Sequence, residues 1–466
     1  MIPASQESAQ LWTVRDPVTR YRRLLSLVAA RLEPERERSA PGDPPFALPG
    51  AGDGRWEQFF ASTPLTYRRL GEYQGHVLDC LDLMGNPGTR TTKSLASNMI
   101  IARAVLRAGS AGRPLVIVTP TSGNKGTALR DALARAQALG LPGAEAVSVI
   151  MAVPPASVSK LRACAGDADP RFTARNPVAV LDVASGGELK ELVAGAAGAA
   201  ASRGGEADYW YTLALDNYRF ADSMRAFAEQ DVALAAGSGW AAPDAEGPDT
   251  AGGRLHAHAV SSGYGLLGYQ LGRDVLAADP RSRPDLPPQP GYFLVQHLGA
   301  PDMVLHQRQD GRAGPPAYAR DGDRFTQHAD PLFPAETDDP DEDIDPTFYT
   351  RNPPTAPAMT GLIRAHGGGG IVVSRRECLA RYAEVRERFG DGVPLPADPA
   401  ELREWSLQMV MCGVLNGIDR GLIAERHIVV HASGSFWDAV LPPLDPALRR
   451  TVSGPAELAA LLDAAG

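Results

Sequence analysis

Between residues 93 and 205 short, uninterrupted apolar runs alternate with helix-length stretches, and no other feature of the chain constrains its fold as much. The runs "PLVIV" (114–118), "AVSVIMAV" (146–153) and "VAVLDV" (178–183) are strand-length and rich in β-branched residues. Helical stretches surround them: 94–108, 126–139, a short piece around "SVSKLRACA", and "GELKELVAGAAGAAAS". Strands that are apolar on both faces and separated by helices predict a mostly parallel sheet covered on both sides. Further strands at 254–260, 291–298, 370–374 and 427–432 extend the pattern, so the expected fold class is α/β.

At 466 residues the chain can hold two or three ordinary domains, or one large α/β unit with insertions. An amphipathic helix, "RYRRLLSLVAARLEPERER", followed by the Pro/Gly-rich "SAPGDPPFALPGAGDG", makes residues 1–54 an N-terminal extension and linker. Residues 235–253 read as an irregular stretch, and the acidic "PAETDDPDEDIDP" (334–346) as a solvated loop rather than a metal site. A net charge of −9 argues against a general polyanion binder, and there is no nucleic-acid motif. No apolar run approaches the roughly 20 residues of a membrane span, and the N-terminus has no leader pattern, so a cytoplasmic location is expected. Cys80, Cys164, Cys378 and Cys412 form no C-x-x-C pair and read as reduced, mostly buried thiols, with no metal implied.

Cation usage is uneven: there are 42 Arg but only four Lys, at 93, 125, 160 and 190. Arginine serves any ordinary surface site, whereas only lysine can lose its proton and attack a carbonyl. Lys93 follows the turn-rich "NPGTRTT" and opens a helical run. Lys125 lies in "TSGNKG", a turn between a buried strand and a helix, and is the rival amine, while Lys160 and Lys190 are expected on solvated helices. In a parallel sheet ligands gather at strand carboxyl ends, where helix N-termini offer N–H groups to anions. Thr121, Ser122 and Asn124 occupy one such turn and Ser261, Ser262, Gly263, Tyr264 and Gly265 a second, which reads as a phosphate cradle. That second turn also carries G-x-G-x-x-G through Gly268, but the next strand begins only near residue 291, which speaks against a dinucleotide site. A third turn, "HASGSF", places Ser433 after a strand.

Taken in order, these segments resemble the pyridoxal-phosphate (PLP) enzymes of fold type II, the tryptophan-synthase β-like group, and threonine synthase in particular. "STPL" (62–65) looks like the Thr-Pro-Leu that opens that catalytic region. "NPGTRTTK" is similar to the Asn-Pro-x-Gly-Ser-Phe-Lys segment whose lysine carries the cofactor as a Schiff base, which implies Lys93. "TSGNKGTAL" resembles the Ser-Gly-Asn-x-Gly loop; this implies Asn124 at the cofactor's phenolic oxygen and Thr121, Ser122 and Gly123 at the substrate carboxylate. "SSGYGLLGY" stands where the family's glycine loop holds the phosphate, and "GLIAERHIVVHASGSF" matches the C-terminal part, with Ser433 at the pyridine nitrogen.

The resemblance covers roughly residues 60–440 and implies two mostly parallel, helix-covered sheets with loop insertions. It places two interleaved α/β subdomains in 55–440, the smaller at about 94–205, followed by a C-terminal helical tail at 441–466. The implied activity is β- or γ-elimination or replacement on an amino acid bearing a leaving group, as a PLP-dependent lyase or transferase. A homodimer is implied as well. A hydroxyl rather than a carboxylate at the ring nitrogen would leave it mostly unprotonated, favouring elimination or replacement over transamination. This sequence departs from the pattern: Thr92 replaces the aromatic residue before the lysine, the segment carries an additional residue, and the stretches near 235–253 and 300–350 are insertions without a counterpart in the family. Two other functions remain open here: a binding or scaffold protein that kept the fold without cofactor, and a nucleotide-binding enzyme using the Gly263–Gly268 turn.

Overall fold

The structure, a computed structural model, describes residues 9–40, 42–183, 186–236, 253–308, 314–348 and 350–465. In chain order the strands are β1 (Ala9–Val14), β2 (Leu65–Tyr73), β3 (His76–Asp82), β4 (Leu115–Pro120), β5 (Val147–Val153), β6 (Val178–Leu181) and β7 (Asp208–Tyr211), continuing with β8 (Arg254–Ala259) and β9 (Gly291–His297). After these come β10 (Ala319–Asp321), β11 (Arg324–Thr326), β12 (Glu336–Thr337), β13 (Gly368–Val373), β14 (His427–Ala432) and β15 (Arg449–Val452). They form two main sheets, one ordered β1-β2-β3-β14-β8-β9-β13 and the other β15-β6-β5-β4-β7. The smaller sheet is parallel throughout, and the larger is parallel from β3 to β13. Two helix-covered, mostly parallel sheets are therefore present, as expected. A small antiparallel sheet of β10 to β12 lies in the 300–350 insertion.

The apolar runs behave as their composition dictates: every residue of β4, β5, β9 and β14 is buried. A strand buried on both faces needs helices above and below it. Helices Lys93–Ala111 and Asn124–Ala138 join the main core beside the smaller sheet, while Gly186–Ser202 and Pro455–Ala465 pack on its other face. Strands β2 and β3 escape the apolar-run criterion because charge interrupts them. Their charges answer each other across the ladder, where Arg69 faces Asp79 and pairs with it. Gln74 and Gly75, both at positive φ (49° and 81°), make the tight turn between them.

The stretch expected as an N-terminal extension supplies β1, paired with β2, and a helix, Arg22–Ser39, that buries Leu24, Leu25, Val28 and Leu32. The expected helical tail holds β15, paired with β6, as well as the helix Pro455–Ala465. Of the 235–253 insertion, residues 237–252 lie outside the described residues. The acidic run at 334–346 needs a correction: much of it is exposed, but its Asp345 is fully buried and ion-paired, so this loop is partly structural. The four cysteines are free thiols, and Cys80, Cys378 and Cys412 are buried as expected.

Candidate active site

The carboxyl ends of β4, β8 and β14 open on one cavity of about 400 Å³ between the two sheets. Lys93 comes to it because residues 90–92 zip against the end of β14. Thr92 N–H donates to the Ser433 carbonyl (2.8 Å), Thr91 bridges Gly434, and Ser435 N–H donates to the Arg90 carbonyl (3.2 Å). Two segments more than 300 residues apart in sequence thereby put Lys93 and Ser433 into the same wall.

Of the expected site residues, Lys93, Thr121, Ser122, Asn124 and Ser433 line the cavity, as do Ser261, Ser262, Gly263, Tyr264 and Gly265. Gly123 does not line it; its φ of 116° shapes the turn, and a Cβ there would meet the Lys160 Cβ at 2.7 Å. Thr121 works inside the turn, its hydroxyl oxygen accepting from the Gly123 and Gly126 N–H groups (3.1 and 3.2 Å). Ser261 donates to Thr350 Oγ1 (3.1 Å), and Thr355 donates to the Ser262 carbonyl (2.5 Å). Among the described residues, Lys93 Nζ, Ser122 Oγ and Ser433 Oγ make no hydrogen bond, so three polar groups reach the cavity unspent.

Lys93 is the first residue of its helix, and its Nζ lies 5.4 Å from the centre of the Tyr218 ring. Burial lowers its pKa below the usual lysine value; Asp222 opposes and Arg225 adds to that shift. The positive end of the helix dipole acts in the same direction as burial. Lys125, the residue after Asn124, is also at the cavity, 5.5 Å from the same ring, with Nζ donating to the Thr212 carbonyl (2.8 Å). Burial and then Lys93 hold it well below the usual value.

The reading of Lys160 and Lys190 as solvated is corrected. Lys190 is half-buried and lines the cavity. Lys160 is only 2% exposed, bonded to Asp345 (2.8 Å), Glu404 (2.7 Å) and the Arg403 carbonyl (2.5 Å). Glu404 in turn accepts from Asn124 Nδ2 at 2.6 Å. The segment around Lys160 is a short 3₁₀ helix, Pro155–Lys160, rather than a solvated helix. All four lysines of the chain thus stand in the cavity wall or directly behind it.

The sequence reading missed Tyr218, Asp222, Arg225 and His258, which also line the cavity. A signal existed: Tyr218, Asp222, Arg225 and Glu229 recur at intervals of four, three and four residues, a polar stripe along helices Leu215–Asp222 and Met224–Ala236 whose members are all buried. His258 has its pKa pushed down to about 3 by burial, with Arg225 adding, so it is neutral. Among the described residues no helix is long and apolar enough to cross a membrane, and no acidic, His or Cys cluster could hold a metal.

The chain belongs to a family of unknown function, DUF6002, whose model matches residues 13–466. No curated protein matches it. Similar solved structures include a PLP-bound threonine synthase from Brucella melitensis, 14% identical with a TM-score of 0.46, over 98% of this chain and 88% of that one. A pyridoxal 5'-phosphate-dependent aspartate racemase is 13% identical with a TM-score of 0.49, over 84% of this chain and 98% of that one. Diaminopropionate ammonia lyase from Escherichia coli is 14% identical with a TM-score of 0.45, over 89% and 90%. What the cavity can do is therefore read from its own side chains.

Proposed function

We propose that this DUF6002 member is a PLP-dependent enzyme that eliminates or replaces a group at the β or γ carbon of an amino acid, in the manner of threonine synthase. One observation carries the reading: an unspent, desolvated lysine amine shares a cavity with a glycine turn at a helix N-terminus and with an unspent serine hydroxyl.

These groups fit the cofactor. Lys93 would hold it covalently, a reaction that needs the neutral amine favoured by burial. The Ser262–Gly265 turn at the N-terminus of helix Tyr264–Ala278 would take its phosphate, Asn124 its phenolic oxygen and Ser433 its ring nitrogen. Bound PLP supplies an electron sink for carbanion chemistry. The chain supplies the rest. Lys93 moves the proton at the substrate's α carbon, Ser122 and the Thr121 turn orient its carboxylate, and Glu404 fixes the amide of Asn124. Tyr218 walls the amines from water, since both lie within 5.5 Å of its ring centre. We place the active protein as a homodimer in the cytoplasm.

The test is the absorption spectrum of the purified protein with PLP, before and after borohydride, followed by mapping of the reduced peptide. A yellow protein labelled at Lys93, and a folded Lys93→Ala variant without colour or turnover, are expected. A protein that stays colourless with added PLP ends the reading, and a label at Lys125 reassigns the anchoring amine.

A further inference from the structure

Behind the cavity wall runs a buried polar chain that the proposed chemistry does not use. Arg225, 1% exposed, donates through Nε to Asp222 Oδ1 (3.0 Å) and through Nη2 to both Asp222 Oδ1 (2.8 Å) and Thr92 Oγ1 (2.8 Å). Its Nη1 lies 3.1 Å from His431 Nδ1. Next, His431 Nε2 lies 2.7 Å from His256 Nδ1, and His256 Nε2 lies 3.0 Å from Glu229 Oε1. His431 and His256 are wholly buried and Glu229 is 1% exposed.

Chemistry gives this chain a direction. A guanidinium can only donate, so His431 Nδ1 must accept and its Nε2 must carry the proton. That proton points at His256 Nδ1, which must accept in turn, leaving His256 Nε2–H to donate to a carboxylate that can only accept. Both imidazoles are therefore neutral, each in a single tautomer. Their burial lowers both pKa values and so agrees with this assignment. The far end is fixed too: Glu229 pairs with Arg254 (3.0 Å) and accepts from Tyr269.

Four guanidinium N–H groups are spent in these bonds, leaving one on Nη1. Arg225 lines the cavity, and it stands against the glycine turn: a Cβ on Gly265 would lie 2.5 Å from Nη1 and 2.7 Å from Nη2. The absent side chain at 265 makes room for the cation. We infer that Arg225 is an anion-binding residue of this site, meeting the phosphate held at the Ser262–Gly265 turn, and that His431, His256 and Glu229 are positioning residues forming a one-way relay that holds it there. The inference rests on the PLP reading. It adds a side-chain cation to a subsite otherwise built from backbone N–H groups and the hydroxyl of Ser262.

Comparing PLP with pyridoxal, which lacks the phosphate, isolates the contact. Both are titrated into the full-length protein and followed by absorbance, for wild type, Arg225→Gln, Arg225→Lys and His431→Asn. Arg225→Gln is expected to lose about 10- to 100-fold in PLP affinity while binding pyridoxal as wild type does, which also reports that it is folded. His431→Asn is expected to lose less, with the same selectivity for PLP, and Arg225→Lys to recover part of the loss. An unchanged ratio of PLP to pyridoxal affinity in Arg225→Gln overturns the inference and leaves the cofactor reading standing, as does an equal loss of both ligands. Should Arg225→Gln not fold, an unchanged ratio in both Arg225→Lys and His431→Asn overturns it just the same. A wild-type protein that binds neither ligand sinks both.

Discussion

Lys125 and Lys160 flank the Asn124 turn and are buried to similar depth, 7% and 2% exposed, yet their surroundings are opposite. Lys160 meets two carboxylates and a carbonyl within 2.8 Å, whereas Lys125 meets one carbonyl and no carboxylate. The first arrangement pairs the side chain with two carboxylates and makes it a structural joint between the Asn124 turn, the acidic insertion and residue 404. The second removes the reason to stay charged and leaves an amine facing a ligand-sized space. Lys93 belongs with Lys125 in this respect. Burial alone does not make a lysine reactive; burial without a counter-ion does.

The largest effect should come from breaking the Lys160 joint. Lys160→Met leaves Asp345 and Glu404 buried with their charge uncompensated, a loss expected to cost about 3–5 kcal/mol. Urea unfolding measures it, and a change below about 1 kcal/mol would show that the joint is not the structural element described here. Next comes Gly123→Ala. At φ 116° the new Cβ would be strained and would press on the Lys160 Cβ, so a loss of about 1–3 kcal/mol is expected, again by urea unfolding. Glu404→Gln should do less to stability than Lys160→Met, because Gln still accepts from Lys160 and Asn124 through its carbonyl oxygen. Its mark should be on ligand affinity at the Asn124 turn.

These contrasts explain what could and could not be read in advance. The parallel layers were legible because β4, β5, β9 and β14 are buried on both faces, which forces continuous apolar runs. The charged hairpin of β2 and β3 was not, since Arg69 and Asp79 satisfy each other only once the strands are paired. Turn residues such as Asn124 and Ser262 were found because Gly, Ser and Asn mark strand ends locally. Arg225 and Lys160 were not, because a buried charge depends on partners distant in sequence. Asp345 lies 185 residues from Lys160, and His431 lies 206 from Arg225. Spacing still held a partial trace, in the stripe from Tyr218 to Glu229 and in the alternate histidines at 256 and 258.

The smallest expected effect is a slope rather than a drop. Burial and the nearby Lys93 hold the Lys125 pKa well below 10.5, while the unfolded chain keeps the ordinary value. Between the two values the unfolded state binds a proton that the folded state does not, so stability rises with pH across that window, by at most about 1.4 kcal/mol per pH unit. Below the depressed value the full penalty of burying the charge is present; above about 10.5 it is gone. Lys125→Met removes the titrating group and keeps an apolar chain of similar length at the cost of the bond to Thr212. Wild type should therefore hold its greatest advantage near pH 10, where it keeps the Thr212 bond at little charge-burial cost, with the variant gaining relative to wild type as pH falls toward 7. Urea unfolding of both proteins across that range gives the difference directly. A difference independent of pH would mean that Lys125 stays protonated when folded, which would remove it from the company of Lys93.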